Sequence, residues 1–368
     1  EPLGEGAADM VYDDLTEAVG QVVERVSTPW TREDARTLAA LAAAGLIFVA
    51  ALLLATTPPD ALTALDPKAV TRYNFIAGAI GIVSALLVTA TSVVMTRKHS
   101  GASGVALAHT VPLLTAAAAL RLSQSHWDTA GWGWTGLGLL IGALAVLTLP
   151  KRYRISIAAP LVVGTVLAAT GLLVRLGQLS QAGVSAILFA LMIVLLQVAP
   201  WIALAHIPVR ILDADTTEQI PAKGITDQVS NSFVFVVALR SGGAIAAIFL
   251  TISLMTAPEM RSVSLPLTLL TLGAVSLVLQ TRSIRARVEV LLGALSGLIV
   301  ILVATVLGAY ADPRTMPWLT LSAIATALVL VITNVVGPRA RPHLTRIADT
   351  ISVLSLFVLL PLAVYLWS

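Results

Sequence analysis

The 368-residue chain has no cysteine, so disulfides, thiolate metal sites and thiol catalysis are excluded within it. Charge is nearly as scarce. Asp, Glu, Lys and Arg together make up 12% of residues, against roughly a quarter in a soluble domain, too few to coat a surface facing water. With 57% hydrophobic residues and a mean hydropathy of +0.90, the composition excludes a cytosolic globular enzyme, a disordered chain and a fibre. What remains is an all-α polytopic integral membrane protein. The pI of 9.4 rests on a net charge of only +3, which points to basic loops on one membrane face rather than to nucleic acid.

A spanning helix needs about 20 mostly apolar residues, and the sequence offers eleven such runs. They fall near 37–56, 73–96, 102–122, 132–150, 155–174, 183–205, 241–257, 265–281, 289–310, 317–337 and 350–367. Each is continuously apolar and rich in Ala and Leu, unlike the alternating segments of a membrane barrel. Only helices satisfy the backbone of such runs within one segment in lipid.

Basic residues are held on the cytoplasmic side during insertion. If the N-terminus is cytoplasmic, 17 of the 23 Lys and Arg residues lie inside and six outside, the six being Lys68, Arg72, Arg121, Arg175, Arg261 and Arg314. This bias predicts N-in, C-out. The seven tryptophans, Trp30, Trp127, Trp132, Trp134, Trp201, Trp318 and Trp367, all fall near predicted interfaces, where an amphipathic ring is favoured.

Two segments depart from short loops. Residues 1–36 carry nine acidic and three basic residues. There Val11, Leu15, Val19, Val22 and Val26 recur at helical spacing, which predicts an acidic cytoplasmic linker with an amphipathic helix, before a transmembrane domain over 37–368. A membrane-surface helix is normally basic, so this one is read as a contact for protein. Thr31 and Asp34 resemble a cap opening the first span. The chain opens on Glu1 without a charged-then-apolar signal region, and is expected to begin partway into a longer protein. The second segment is the inner connection 206–240, in which the stretch from Ile225 to Arg240 is predicted helical and leads into the seventh span; it is either a structural helix or an interaction surface.

No reaction chemistry is legible. All twenty carboxylates fall in predicted loops or at helix ends, whereas ion-coupled transporters keep ionisable groups within the bilayer. His109 is the one titratable side chain placed well inside a span, and a lone histidine there reads as a hydrogen-bonded packing residue. Arg121, toward the outer end of the same span, is expected to snorkel to water. His99, His126, His206 and His343 lie apart, without metal-ligand spacing. The run GWGWTG at 131–136 fits G-x-G-x-x-G but lacks the preceding strand of a dinucleotide site, and is set aside. Gly138 with Gly142, and Ser241 with Gly242 and Gly243, are small-residue faces for packing within the chain or against a second copy. Pro112, Pro160, Pro200 and Pro361 are read as structural kinks. No catalytic, cofactor or metal residues are expected.

Several stretches in order carry a family resemblance: VYDDLTEAV (11–19), HTVPLLTAAAAL (109–120), APWIAL and HIPVRI (199–204 and 206–211), and TRIADTISVLSLFVLLPLAVYLW (345–367). With eleven spans and a long inner loop after the sixth, the chain resembles EccD, the multi-span membrane component of the type VII (ESX) secretion system of mycobacteria and related actinobacteria. The resemblance implies a non-enzymatic scaffold in the bacterial inner membrane, normally preceded by a ubiquitin-like domain, with Glu1 expected to fall in the linker after it. It further implies dimerisation around a lipid-facing vestibule and assembly with EccB, the ATPase EccC and EccE. The other reading is a stand-alone solute or lipid permease.

Overall fold

The computed structural model describes residues 32–56, 67–98, 101–123, 129–205, 222–260, 262–280, 287–312 and 341–367, with scattered positions between 314 and 324. The described residues are helical, with no strand. Chain order gives α1 (Arg32–Thr56), α2 (Pro67–Lys98), α3 (Gly101–Ala108), α4 (Val111–Leu122) and α5 (Thr129–Ala143). Two 3-10 segments, Leu144–Thr148 and Lys151–Ile157, then turn the chain into α6 (Ala158–Gly177) and α7 (Gln181–Ala205). The remainder is α8 (Ala222–Met255), α9 (Ser264–Gln280), α10 (Arg287–Ala311) and α11 (Arg341–Trp367).

Among the described residues nine helical stretches are long and apolar enough to cross a membrane, and Ser264–Gln280 is a shorter apolar helix. These ten coincide with ten of the eleven runs in the sequence. The other, 317–337, lies largely outside the described residues, as do residues 1–31, which include the predicted amphipathic helix and Thr31, and residues 206–221 of the inner connection.

The span over 102–122 is not one helix. It breaks at His109 and Thr110, and α4 restarts with Pro112 in its first turn, where a missing backbone donor costs nothing. Pro200 and Pro361, by contrast, sit inside α7 and α11. The part of the 206–240 connection from Ala222 onward and the seventh apolar run form one helix, α8, whose 34 residues reach roughly 51 Å at about 1.5 Å per residue. That exceeds a bilayer's hydrocarbon core of about 30 Å, so the N-terminal part of α8 projects beyond it.

The interior is divided. Its larger cluster joins α7, α8, α9, α10 and α11 around Phe189, Ile193, Leu250, Leu270 and Leu359. A smaller one joins α4, α5 and α6 through Leu139, Val163 and Leu167, with Phe249 of α8 against it. Helix α8 therefore touches both groups and ties them together. On the outside, large apolar side chains such as Leu46, Phe75, Leu86, Leu302 and Phe357 are exposed, as lipid-facing residues must be when solvent is hydrocarbon.

Hydrophobic driving force between helices is absent in lipid, so polar contacts and close packing decide their association. Gln181 of α7 donates to the Ser253 carbonyl of α8 at 2.8 Å, and the Ser185 and Ser253 hydroxyls lie 2.8 Å apart. Nearer the other end of α7, Gln197 donates to the Ser276 hydroxyl of α9 at 2.8 Å, and Gln280 of α9 donates back to the Leu196 carbonyl at 2.9 Å. Both clusters are polar links between otherwise apolar helices. Ser253→Val is expected to lower stability in detergent by about 1–2 kcal/mol, and Gln197→Leu by about 0.5–1 kcal/mol; thermal unfolding of the purified chain measures both.

Candidate functional site

The residues singled out by their glycine spacing are used within the chain. A Cβ on Gly138 would meet the Thr115 carbonyl oxygen at 2.5 Å and Ala116 Cα at 2.7 Å, and one on Gly142 would meet Pro112 Cα at 2.5 Å. The Gly138–Gly142 face is therefore seated on α4. A Cβ on Gly242 would come 2.6 Å from the Ala159 carbonyl oxygen of α6, and one on Gly243 would strike the Leu196 side chain of α7. Of the two roles open to these faces, packing within the chain is the one they fill: a neighbouring helix already occupies each of them. The GWGWTG run, set aside as a motif, has a packing role, because Gly133 backs onto Gly171 and Gly136 onto Ala168 and Gly164 of α6.

Trp132, expected as an interface anchor, is buried. Its ring meets Phe249 edge-on at 5.5 Å and 85°, so it belongs to the seam between α5 and α8. Trp134 and Trp367 are well exposed. Trp30, Trp127 and Trp318 lie outside the described residues.

Arg121 does not snorkel. It is 7% exposed, its Nε donates to the Leu54 carbonyl of α1, and its Nη1 reaches Asn74 Oδ1 of α2 at 3.5 Å. The inward orientation joins α1, α2 and α4 and satisfies the Leu54 carbonyl, one of the last four of α1, which have no partner within their own helix. Sequence alone does not reveal this, because the acceptors lie 67 and 47 residues away.

A second cation, counted by sequence among those of the inner loops, is also buried. Arg240 sits well inside α8 and is 5% exposed; Glu289 in the first turn of α10 is 8% exposed. Arg240 Nη1 lies 3.4 Å from Glu289 Oε2, while the buried Nε and Nη2 of the same guanidinium have no hydrogen-bond partner among the described residues. This is an ion pair between two helices that are neighbours only in space.

His109 stands at the α3–α4 break, half-buried, with Nδ1 2.8 Å from the Val105 carbonyl oxygen. It borders a half-open apolar cavity of about 490 Å³ lined by α1, α4, α5, α6 and α8. Among the described residues no group of three His, Asp or Glu side chains is arranged to hold a metal ion.

The sequence profile of one family, the EccD-like transmembrane domain, matches residues 35–368. Among solved structures, the chain is similar to protomer 1 of the ESX-3 core complex, with 18% identity and a TM-score of 0.72, over 100% of this chain and 82% of that one. It is also similar to a chain of the MycP5-free ESX-5 inner membrane complex in State II, with 17% identity and a TM-score of 0.56, over 88% of this chain and 78% of that one. No curated protein matches the sequence significantly.

Proposed function

The chain belongs to the family of EccD-like transmembrane domains, and from that membership we propose that it is a structural membrane subunit of a type VII (ESX) secretion complex in a bacterial inner membrane. The observation that carries this reading is the family match, which runs through the whole membrane region instead of one motif. Likeness in fold to chains of the ESX-3 and ESX-5 complexes supports it.

In this reading the chain contributes no catalytic, cofactor or metal site of its own, and energy for export comes from a partner ATPase of the EccC type. Residues 1–36 and the inner connection 206–240 face the cytoplasm and dock the EccB-, EccC- and EccE-like components. Residues 37–368 form an eleven-span domain, N-in and C-out, that pairs with a second copy. Because the Gly138–Gly142 and Gly242–Gly243 faces are filled from within, that pairing uses other, lipid-exposed surface.

Extraction of the tagged chain in a mild detergent is expected to bring down the other ESX components in an assembly far above its own 38.3 kDa. Recovery of the chain alone, together with measurable solute or lipid flux in vesicles containing nothing else, would replace the scaffold by the permease. Glu289, the buried carboxylate among the described residues, lies in the first turn of α10 and is paired with Arg240 of α8.

A further inference from the structure

Helix α8 is held unevenly along its length. Among the described residues, every α8 side chain that joins an apolar cluster lies between Ala246 and Met255. Ser253, in the same half, adds the polar contacts to Gln181 and Ser185 of α7. Val236, Ala238 and Leu239, nearer the N-terminal end, are buried but join neither cluster. One half of the helix is anchored, and the other is only covered.

Between the halves the helix passes through a clamp. A Cβ on Gly242 would come 2.6 Å from the Ala159 carbonyl oxygen of α6, and one on Gly243 would strike the Leu196 side chain of α7. The clamp coincides with the weakest stretch of helix. Sharp bends in helices concentrate at Gly and Ser pairs, and glycine is the poorest helix former after proline. The Ser241 hydroxyl also donates back to the Ala238 carbonyl at 2.9 Å, a bond that competes with the helix's own and bends it. A bend of about 20° here would move the far end of the Ala222–Arg240 half, roughly 28 Å away at about 1.5 Å per residue, by roughly 10 Å.

Arg240, directly before the clamp, makes the contact that resists such a bend. Closed, the pair with Glu289 has one contact at 3.4 Å, and Nε and Nη2, the two donors on one edge of the guanidinium, find no partner among the described residues. Parted, both side chains exchange that poor pairing for water. The apolar stretch of α8 begins at Ser232, roughly 12 Å from Arg240 at about 1.5 Å per residue, and Glu289 stands in the first turn of α10, so the two charges lie near the membrane surface, where an arginine reaches water by extending. A buried pair with few hydrogen bonds recovers its desolvation cost poorly, which brings the closed and parted states close in free energy. We infer that the Ala222–Arg240 half of α8 is a hinged arm, pivoting at Gly242–Gly243, and that the Arg240–Glu289 pair is the latch that closes it onto α10. A partner that grips the projecting arm acts on this latch. That last step rests on the docking role proposed for residues 206–240, whereas the hinge is a property of one chain and is tested on it alone.

The chain has no cysteine, so an introduced thiol is read without background. Val236→Cys places one at a buried position on the arm, and Leu250→Cys places one in the anchored half. A buried thiol reacts with a small water-soluble methanethiosulfonate only through opening, so Val236→Cys is expected to react about tenfold or more faster than Leu250→Cys. Glu289→Gln, which removes the latch charge, is expected to speed the reaction at Val236→Cys about tenfold and to leave Leu250→Cys unchanged. Arg240→Met combined with Glu289→Leu is expected to slow Val236→Cys about tenfold, because parting no longer hydrates a charge. Reaction at Val236→Cys that follows neither change, or that rises equally at both positions, would overturn the hinge. Should Glu289→Gln fail to fold, the double variant decides alone, and an unchanged rate at Val236→Cys overturns it.

Discussion

Gly136→Val is expected to yield almost no monodisperse chain after detergent extraction, and Gly136→Ala to melt well below the parent. A Cβ at this position would lie 2.2 Å from the Ala168 backbone nitrogen and 2.7 Å from the Gly164 carbonyl oxygen. Both are backbone atoms of α6, so no flexible side chain can swing aside, and the helices must part. Overpacking a well-filled interior costs about 1–3 kcal/mol even for small additions. Here the added atom also opens the α5–α6 seam, losing the close approach that replaces hydrophobic driving force in a bilayer. Valine adds two further methyl groups to the same clash. Gly45→Ala is the matched control, because nothing lies within 4 Å of a Cβ built there and alanine is the better helix former by up to about 1 kcal/mol. Size-exclusion profiles and thermal unfolding in one detergent decide it: equal melting of Gly136→Ala and Gly45→Ala would show that α5 and α6 do not approach this closely.

That close approach lies beyond what sequence reveals. The spans are legible because the requirement is local: about 20 apolar residues announce a crossing without reference to the rest of the chain. The helical stretch from Ile225 to Arg240 leading into the seventh span is legible for the same reason, and the structure joins the two in Ala222–Met255. Gly138 and Gly142 are visible as a small-residue face, but spacing along one helix does not say which helix approaches it; Thr115 and Pro112 supply that answer. Position near a span end suggests an outward side chain for Arg121 and Trp132. Both turn inward because a partner lies there, Leu54 and Asn74 for one and Phe249 for the other. The cavity beside His109 is the extreme case. Its walls come from five helices spread from Phe48 to Phe249, and apart from His109, Thr135 and Ser241 its wall residues, read alone, are ordinary apolar membrane residues.

The Arg240–Glu289 pair sets the second large effect. Glu289→Ala is expected to destabilise the chain by about 3–5 kcal/mol, since removing one partner leaves a buried, uncompensated charge. The loss should persist in high salt, because screening reaches buried pairs weakly. Arg240→Met alone should cost a comparable amount by stranding the carboxylate. Combining Arg240→Met with Glu289→Leu is expected to recover most of the parent stability. The reason is geometric: one contact at 3.4 Å holds the pair, and among the described residues the buried Nε and Nη2 of the guanidinium find no partner. An ion pair with so few hydrogen bonds does not recover its desolvation cost, and apolar replacements of similar volume are commonly neutral or better. A double-mutant cycle on thermal unfolding isolates the coupling. Additive single losses, with no recovery in the double variant, would mean that the two side chains act separately and that α8 and α10 are held by apolar packing alone. Recovery of stability without recovery of the associated ESX components in the detergent pull-down would give the pair a different role. It would then fix how α8 meets α10, at a position where an apolar pair would hold the helices together but not in the same register.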